Sequence, residues 1–382
     1  MSLLTRVAGA CALSVFSAGF LISGVLAQPL RVGVMLPLSG PSAAVGNQTR
    51  EGVELGLKAL NANGGLLGRE IDYVVADDES VPAIGLSRVN ELLAKDIEVL
   101  VGGWNSPVLL AYQPILAKEN IFSIATIAKV DQVLTGADKH AFKISPDNKD
   151  DARQIAKLVV DKLDAKSVLF MSQSDVYGDT TQKAMEAEIL ALRPDIKVLG
   201  REQFQYQETN FRNLLEKARS LNPDVIVVTN SSQASGMAAM LQQADEIDLP
   251  NKIVVMQGGL TDITVGAAGP SANGVYSVGF YFADKPPYSE IPLNKEFVEA
   301  YRAAYGVTPD AMAASGYIAV QVWAEAVRRA GTTERVAVSK AMRGQSFPDT
   351  IWGEVSVDDR GQLSANYTLF QVTDGERTPL PD

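Results

Sequence analysis

The 382-residue chain has one cysteine and one histidine, and these two scarcities exclude much of the chemistry open to a chain of this size. Cys11 lies in an apolar N-terminal segment, and cleavage after Ala27 removes it. The remaining chain then has no disulfide, thiolate metal site or thiol nucleophile. The histidine, His140, sits in a Lys139-His140-Ala141-Phe142 context that reads as a surface turn. With the single histidine placed in a surface turn, the usual base for a serine nucleophile finds no site, and no His/Cys ligand cluster occurs. No G-x-S-x-G or H-E-x-x-H pattern occurs, so only a hydrolase built on a carboxylate base stays open. No cofactor is implied.

Positive charge is also short, with 34 Lys+Arg against 45 Asp+Glu and a net charge of −11. Such a balance argues against nucleic acid or an anionic membrane surface as partner. A small anionic ligand remains open, because local fields decide its binding. Asp77-Asp78-Glu79 lacks the spacing of a calcium loop and reads as a solvated strand end. The glycines of Gly64-Gly65-Leu66-Leu67-Gly68 follow a helix and lead into a strand, the reverse of a phosphate cradle. No solenoid repeat or low-complexity tract is present.

Residues 1–27 read as a signal peptide: Arg6 supplies the positive region, residues 7–26 the apolar core, and Val25-Leu26-Ala27 the cleavage site. Export without disulfides is feasible, since the 355 residues left (382 minus 27) are enough for two large-cored α/β domains. From residue 30 onward, buried apolar runs alternate with polar or glycine-rich loops and helices. Strands are expected at 31–36, 70–76, 97–101, 121–125, 167–171, 197–204, 224–229 and 252–256, with helices between them. That alternation predicts an α/β fold with two parallel sheets and right-handed crossovers. Long helices follow at 293–305 and 311–330, then antiparallel strands at 354–357 and 367–372. Asp358-Asp359-Arg360-Gly361 is expected to be a hairpin turn.

The stretch 97–120 carries the most functional information. A β-branched strand ends in Gly102-Gly103-Trp104-Asn105, and a helix follows with Ser106 as expected N-cap and Pro107 at the first helical position. In open α/β sheets, ligands sit at such strand ends, where helix N–H groups point into a crevice. A small carboxylate fits there, held by Ser106 and adjacent amides against Trp104. An ordinary capped turn reads the same way from this stretch alone.

Several segments occur together in a telling order: Arg31–Gly40 (RVGVMLPLSG), Asn61-Ala62-Asn63-Gly64-Gly65, Leu67-Gly68-Arg69-Glu70-Ile71, YVVADD at 73–78, Val101-Gly102 and Asp175-Val176-Tyr177-Gly178. As a set they resemble the type I periplasmic binding proteins, in the leucine/isoleucine/valine-binding branch that serves ABC importers. The resemblance implies a periplasmic, monomeric solute-binding protein with two lobes joined by three hinge crossovers. Residues 29–145 plus 278–351 would form lobe one, and 146–277 plus 352–382 lobe two. Its partners would be a small carboxylate-bearing ligand (amino acid, keto acid or aromatic acid) and an inner-membrane ABC permease. A sensor reporting ligand to a receptor or regulator would share this fold.

Carried over residue by residue, the resemblance puts Ser106 on the ligand carboxylate and Tyr177, in a lobe-two loop, over the ligand. Trp104, Asn105, Ile127 and Gln257 join them as ligand-binding candidates. The departures are Lys129 in place of a threonine, Gln233 in place of a second tyrosine, and Gly259 in place of the glutamate that neutralises an α-ammonium. Asp262 would replace that glutamate if its loop folds inward, but an exposed aspartate at a helix start is equally ordinary. Lys129 either faces the cleft or snorkels to the surface. If it faces the cleft, the expected ligand is a carboxylate without an amine, since a closed-in ammonium would lack a charge-assisted partner.

Overall fold

The computed structural model describes residues 28–135 and 140–381; residues 1–27, expected to be a signal peptide, lie outside them. The first sheet is built from β1 (Leu30–Leu36), β2 (Ile71–Asp77), β3 (Val99–Gly102), β4 (Phe122–Ala125) and β5 (Ala141–Lys143), in the spatial order β2-β1-β3-β4-β5. All its pairs are parallel. Helices α1 (Ala43–Ala62), α2 (Pro82–Leu93), α3 (Ser106–Lys118) and the short α4 (Gln132–Thr135) connect the strands. Every residue of β3 and β4 is buried. Their unbroken apolar runs follow from helices covering both faces of a parallel sheet.

The chain then crosses to a second sheet through α5 (Asn148–Lys157), which continues as a π-helical turn over Leu158–Lys162. There it alternates β6 (Ser167–Gln173), α6 (Val176–Leu192), β7 (Lys197–Phe204), α7 (Arg212–Leu221), β8 (Val225–Thr229), α8 (Ala238–Glu246), β9 (Lys252–Val255), α9 (Asp262–Ala268) and β10 (Tyr276–Gly279). It returns to the first domain as α10 (Pro292–Tyr305), α11 (Ala311–Ala330) and α12 (Arg335–Met342), and α11 packs along α1. A small hairpin of β11 (Ser346–Thr350) and β12 (Gly353–Ser356) follows. Finally β13 (Thr368–Thr373) and β14 (Glu376–Pro379) rejoin the second sheet, whose order is β14-β13-β10-β9-β8-β6-β7.

Two parallel sheets flanked by helices are therefore present, with one qualification. The second sheet is parallel from β10 to β7, and its last two strands run antiparallel along one edge. The Asp358–Gly361 turn does link antiparallel backbone, through a single bridge between Val357 and Leu363.

Candidate functional site

Gly102 and Gly103 make the bend that ends β3, with φ of +152° and +70°. A Cβ on Gly102 would stand 2.0 Å from the Met35 carbonyl oxygen, so only glycine lets β3 and β1 end side by side here. The bend delivers Trp104, Asn105 and Ser106 to a cavity lined from both domains. From the first domain Ile127 and Lys129 (after β4) and Ser145 (after β5) complete that wall. From the second domain come Gln173 at the end of β6, Tyr177 at the start of α6, Ser231 and Gln233 after β8, and Gln257 and Gly258 after β9. Apart from Met312, every lining residue lies at or just beyond the carboxyl end of a strand. This is the place where α/β sheets receive ligands.

Eight of the nine residues expected from sequence line this cavity, and Asp262 is the one that does not. Asp262 opens α9 behind a Thr261 cap, and its carboxylate takes two hydrogen bonds from Arg377, at 2.6 and 2.7 Å. A fixed bidentate pair with Arg377 leaves it no part in replacing the missing glutamate. Two local expectations also change. Asn105, not Ser106, occupies the N-cap position of α3, and no side chain caps that helix. The Ser106 hydroxyl instead accepts the backbone N–H of Lys129 at 3.2 Å. Tyr177 lies in the first turn of α6 rather than in a loop, because Asp175 caps the helix by accepting the Gly178 N–H at 2.9 Å.

Lys129 does line the cavity, but it is not an uncompensated charge. Its ammonium forms an ion pair with Asp151 of α5, a residue with no exposure to solvent. Asp151 also accepts the Tyr367 hydroxyl at 2.7 Å. Burial pushes the Asp151 carboxyl up to about 6, against the pull of Lys129 and Tyr367. Behind them the Lys143 ammonium donates to the Lys129 carbonyl at 2.7 Å, and burial pushes Lys143 down to about 8. Burial, with the charges of Asp151 and Asp175, also raises the Tyr177 phenol, so that hydroxyl stays protonated.

Several polar atoms of the wall are buried without a protein partner. Trp104 Nε1 and Ser145 Oγ are donors of this kind; Asn105 Oδ1, Gln233 Oε1 and Gln257 Oε1 are acceptors. Buried polar atoms are costly unless paired, so this cluster suits a ligand that brings the missing partners. Gln173 is different: Ser231 and Asp175 use both ends of its amide, making it a brace for the wall. Gln173, Ser231, Ser145 and Met312 are absent from the sequence expectations. The strand-end rule would have found the first three, whereas Met312 reaches the cavity from a helix N-terminus.

At the rim, Ser42 of the first domain bonds to the Tyr206 hydroxyl of the second, and that hydroxyl lies 3.4 Å from Ser80 Oγ. Just below is Asp78, fully buried, with one carboxylate oxygen accepting the Ser80 N–H at 2.9 Å and the other unpartnered. Burial pushes this carboxyl from 3.8 up to about 6. A raised carboxyl favours the folded state below its unfolded pKa and loses that contribution as pH rises through the folded value. The melting temperature of Asp78→Asn, relative to wild type, is therefore expected to rise between about pH 4 and pH 7, by the equivalent of about 2 kcal/mol. A pH-independent difference in thermal melts would contradict this.

A protein-family model described as "Periplasmic binding protein" matches residues 29–377. Among curated relatives, Leu/Ile/Val-binding protein homolog 2 of Brucella abortus is 26% identical over 93% of each chain. Homolog 1 of Brucella suis is 25% identical over 90% of each. A solute-binding protein of an ABC transporter from R. palustris, solved in complex with benzoate, superposes with a TM-score of 0.83 at 25% identity, covering 92% of this chain and 95% of its own. A leucine-binding protein from Thermotoga maritima has the same fold (TM-score 0.83, 21% identity, 92% and 98% covered). The curated relatives that it resembles are Leu/Ile/Val-binding protein homologues, and with nearly its whole length matched by the family model, the chain belongs to the periplasmic binding protein family.

Proposed function

We propose that this protein captures a small carboxylate without an amine, an aromatic acid or a branched keto acid, and hands it to an inner-membrane ABC permease without altering it. One observation carries the reading. Among the described residues, the wall supplies a lysine ammonium, the first turn of an uncapped helix and two unpaired donors beside three unpaired amide oxygens, yet includes no aspartate or glutamate. An α-ammonium in this cavity would be stripped of water and meet only amide oxygens, a poor exchange for a full charge. Trp104, Ile127 and Tyr177 suit a flat or branched apolar body. The benzoate complex of the R. palustris relative supports an aromatic acid in a chain of this type.

Closure follows from the same geometry. Residues 29–145 with 278–351 would move as one body, and 146–277 with 352–382 as the other. A ligand touching Ser106 on one side and Tyr177 or Gln233 on the other favours the closed arrangement by its contacts with both. The protein would act as a monomer in the periplasm after losing residues 1–27. Thermal melts and titration calorimetry on ligand-free protein test the specificity. Benzoate, hydroxybenzoates and α-ketoisocaproate are expected to raise the melting temperature, by the equivalent of about 2.7 kcal/mol at a hundredfold excess over Kd. Tight binding of leucine or valine with no response to these acids would defeat the proposal.

A further inference from the structure

We propose that Asp151, which lies behind the cavity wall, sets the ligand charge the site accepts: when an anion enters, Asp151 shares Lys129 with it and takes a proton from solvent. This inference rests on the carboxylate reading above. Lys129 and Asp151 come from different domains, meet where the chain first crosses between them, and are both almost wholly buried. As a pair they are neutral. A lysine ammonium has three donors; Asp151 takes one, and the Pro146 carbonyl, at 3.5 Å, a second. The third is left for a ligand. A carboxylate on that donor turns a balanced pair into two negative charges around one positive charge, out of water. Buried charge without compensation is expensive, and adding one proton removes the excess.

The neighbouring groups point to Asp151 as the acceptor of that proton. Asp147 is held by Arg360 at 3.4 Å and by the backbone N–H groups of Lys149 and Asp150. Asp131 pairs with Lys149 at 3.2 Å, and Asp150 with Arg153 at 2.6 Å. Asp175 caps α6. The Tyr177 and Tyr367 phenols are pushed up by burial and stay protonated. Lys143, held by the Lys129 carbonyl, is a cation packed behind the pair. Asp151 alone faces both the ammonium the ligand would engage and a hydroxyl, that of Tyr367, able to bond a neutral acid as well as a carboxylate. The step balances as one proton taken from buffer for each anion bound.

Calorimetry of benzoate binding near neutral pH, in two buffers of different ionisation enthalpy, counts that proton. About one proton taken up per benzoate is expected, with none for the neutral isostere benzamide. Asp151→Asn is expected to tighten benzoate about tenfold, with benzamide little changed, because the protonation cost is gone. Lys143→Met should still take up the proton. Benzoate binding without proton uptake overturns the inference, as does an Asp151→Asn variant that shifts benzoate and benzamide alike, or loss of uptake in Lys143→Met. The wild-type proton count decides the matter even if Asp151→Asn fails to fold. If neither benzoate nor α-ketoisocaproate binds, the carboxylate reading and this inference fall together; binding without uptake removes only the inference.

Discussion

A Lys129→Met variant is expected to bind carboxylates about a hundredfold more weakly and to lose about 3–5 kcal/mol of folding stability. The two losses have different origins. Binding suffers because the ammonium lining the cavity is the only full positive charge among the described residues of its wall. Folding suffers because Asp151, with no solvent exposure, loses its ionic partner and sheds the unpaired charge only by taking a proton from a solution near neutral pH. Adding Asp151→Asn to Lys129→Met should therefore restore most of the stability, as urea denaturation would show, and none of the affinity. Benzamide should be affected far less than benzoate in calorimetry of either variant. Equal losses for the two would take Lys129 out of the site.

The second large effect lies at Gly178. It is the third residue of α6, directly after Tyr177, where the helix starts against the end of β6. A Cβ added there would sit 1.8 Å from the Gln173 carbonyl oxygen, so either the strand end or the helix must move. Gly178→Ala is expected to cost about 3 kcal/mol by overpacking. It should also abolish measurable ligand binding, since Gln173 braces the wall and Tyr177 is proposed to close over the ligand. Denaturation and calorimetry on the same preparation check both; retention of wild-type affinity would show that Tyr177 does not act on the ligand.

Where the sequence pattern is long and regular, it reads directly as structure. The helix 311–330 has the boundaries its residues suggest because an apolar stripe runs along its length; the strand 197–204 has its expected boundaries too, although KVLGREQF does not alternate throughout. Short elements are different. Strand β14 (ERTP) has no aliphatic residue and takes its form from β13, and the eight residues of α12 are too few to show a helical period. The π-helical turns at Leu158–Lys162 and Gln233–Met237 were equally invisible, since nothing local separates them from an α-helix.

In the site, residues next to strand ends were legible and their partners were not. Trp104, Asn105, Ser106, Ile127 and Gln257 could be placed because each lies just past an apolar run. The fate of Lys129 depended on Asp151, which comes 22 positions later and from the other domain. That of Asp262 depended on Arg377, a further 115 positions along the chain. Such pairings are made by topology, and no spacing rule reaches across it.

The interleaved topology also bears on when the protein can fold. The first domain needs α11, which covers α1, and the second needs β13 and β14 at its sheet edge. All three are made after the bulk of both domains. An incomplete chain thus has neither domain finished, and premature folding during synthesis is held back until the last fifty or so residues emerge. For a polypeptide threaded through a membrane pore as an unfolded strand, this delay keeps the route open.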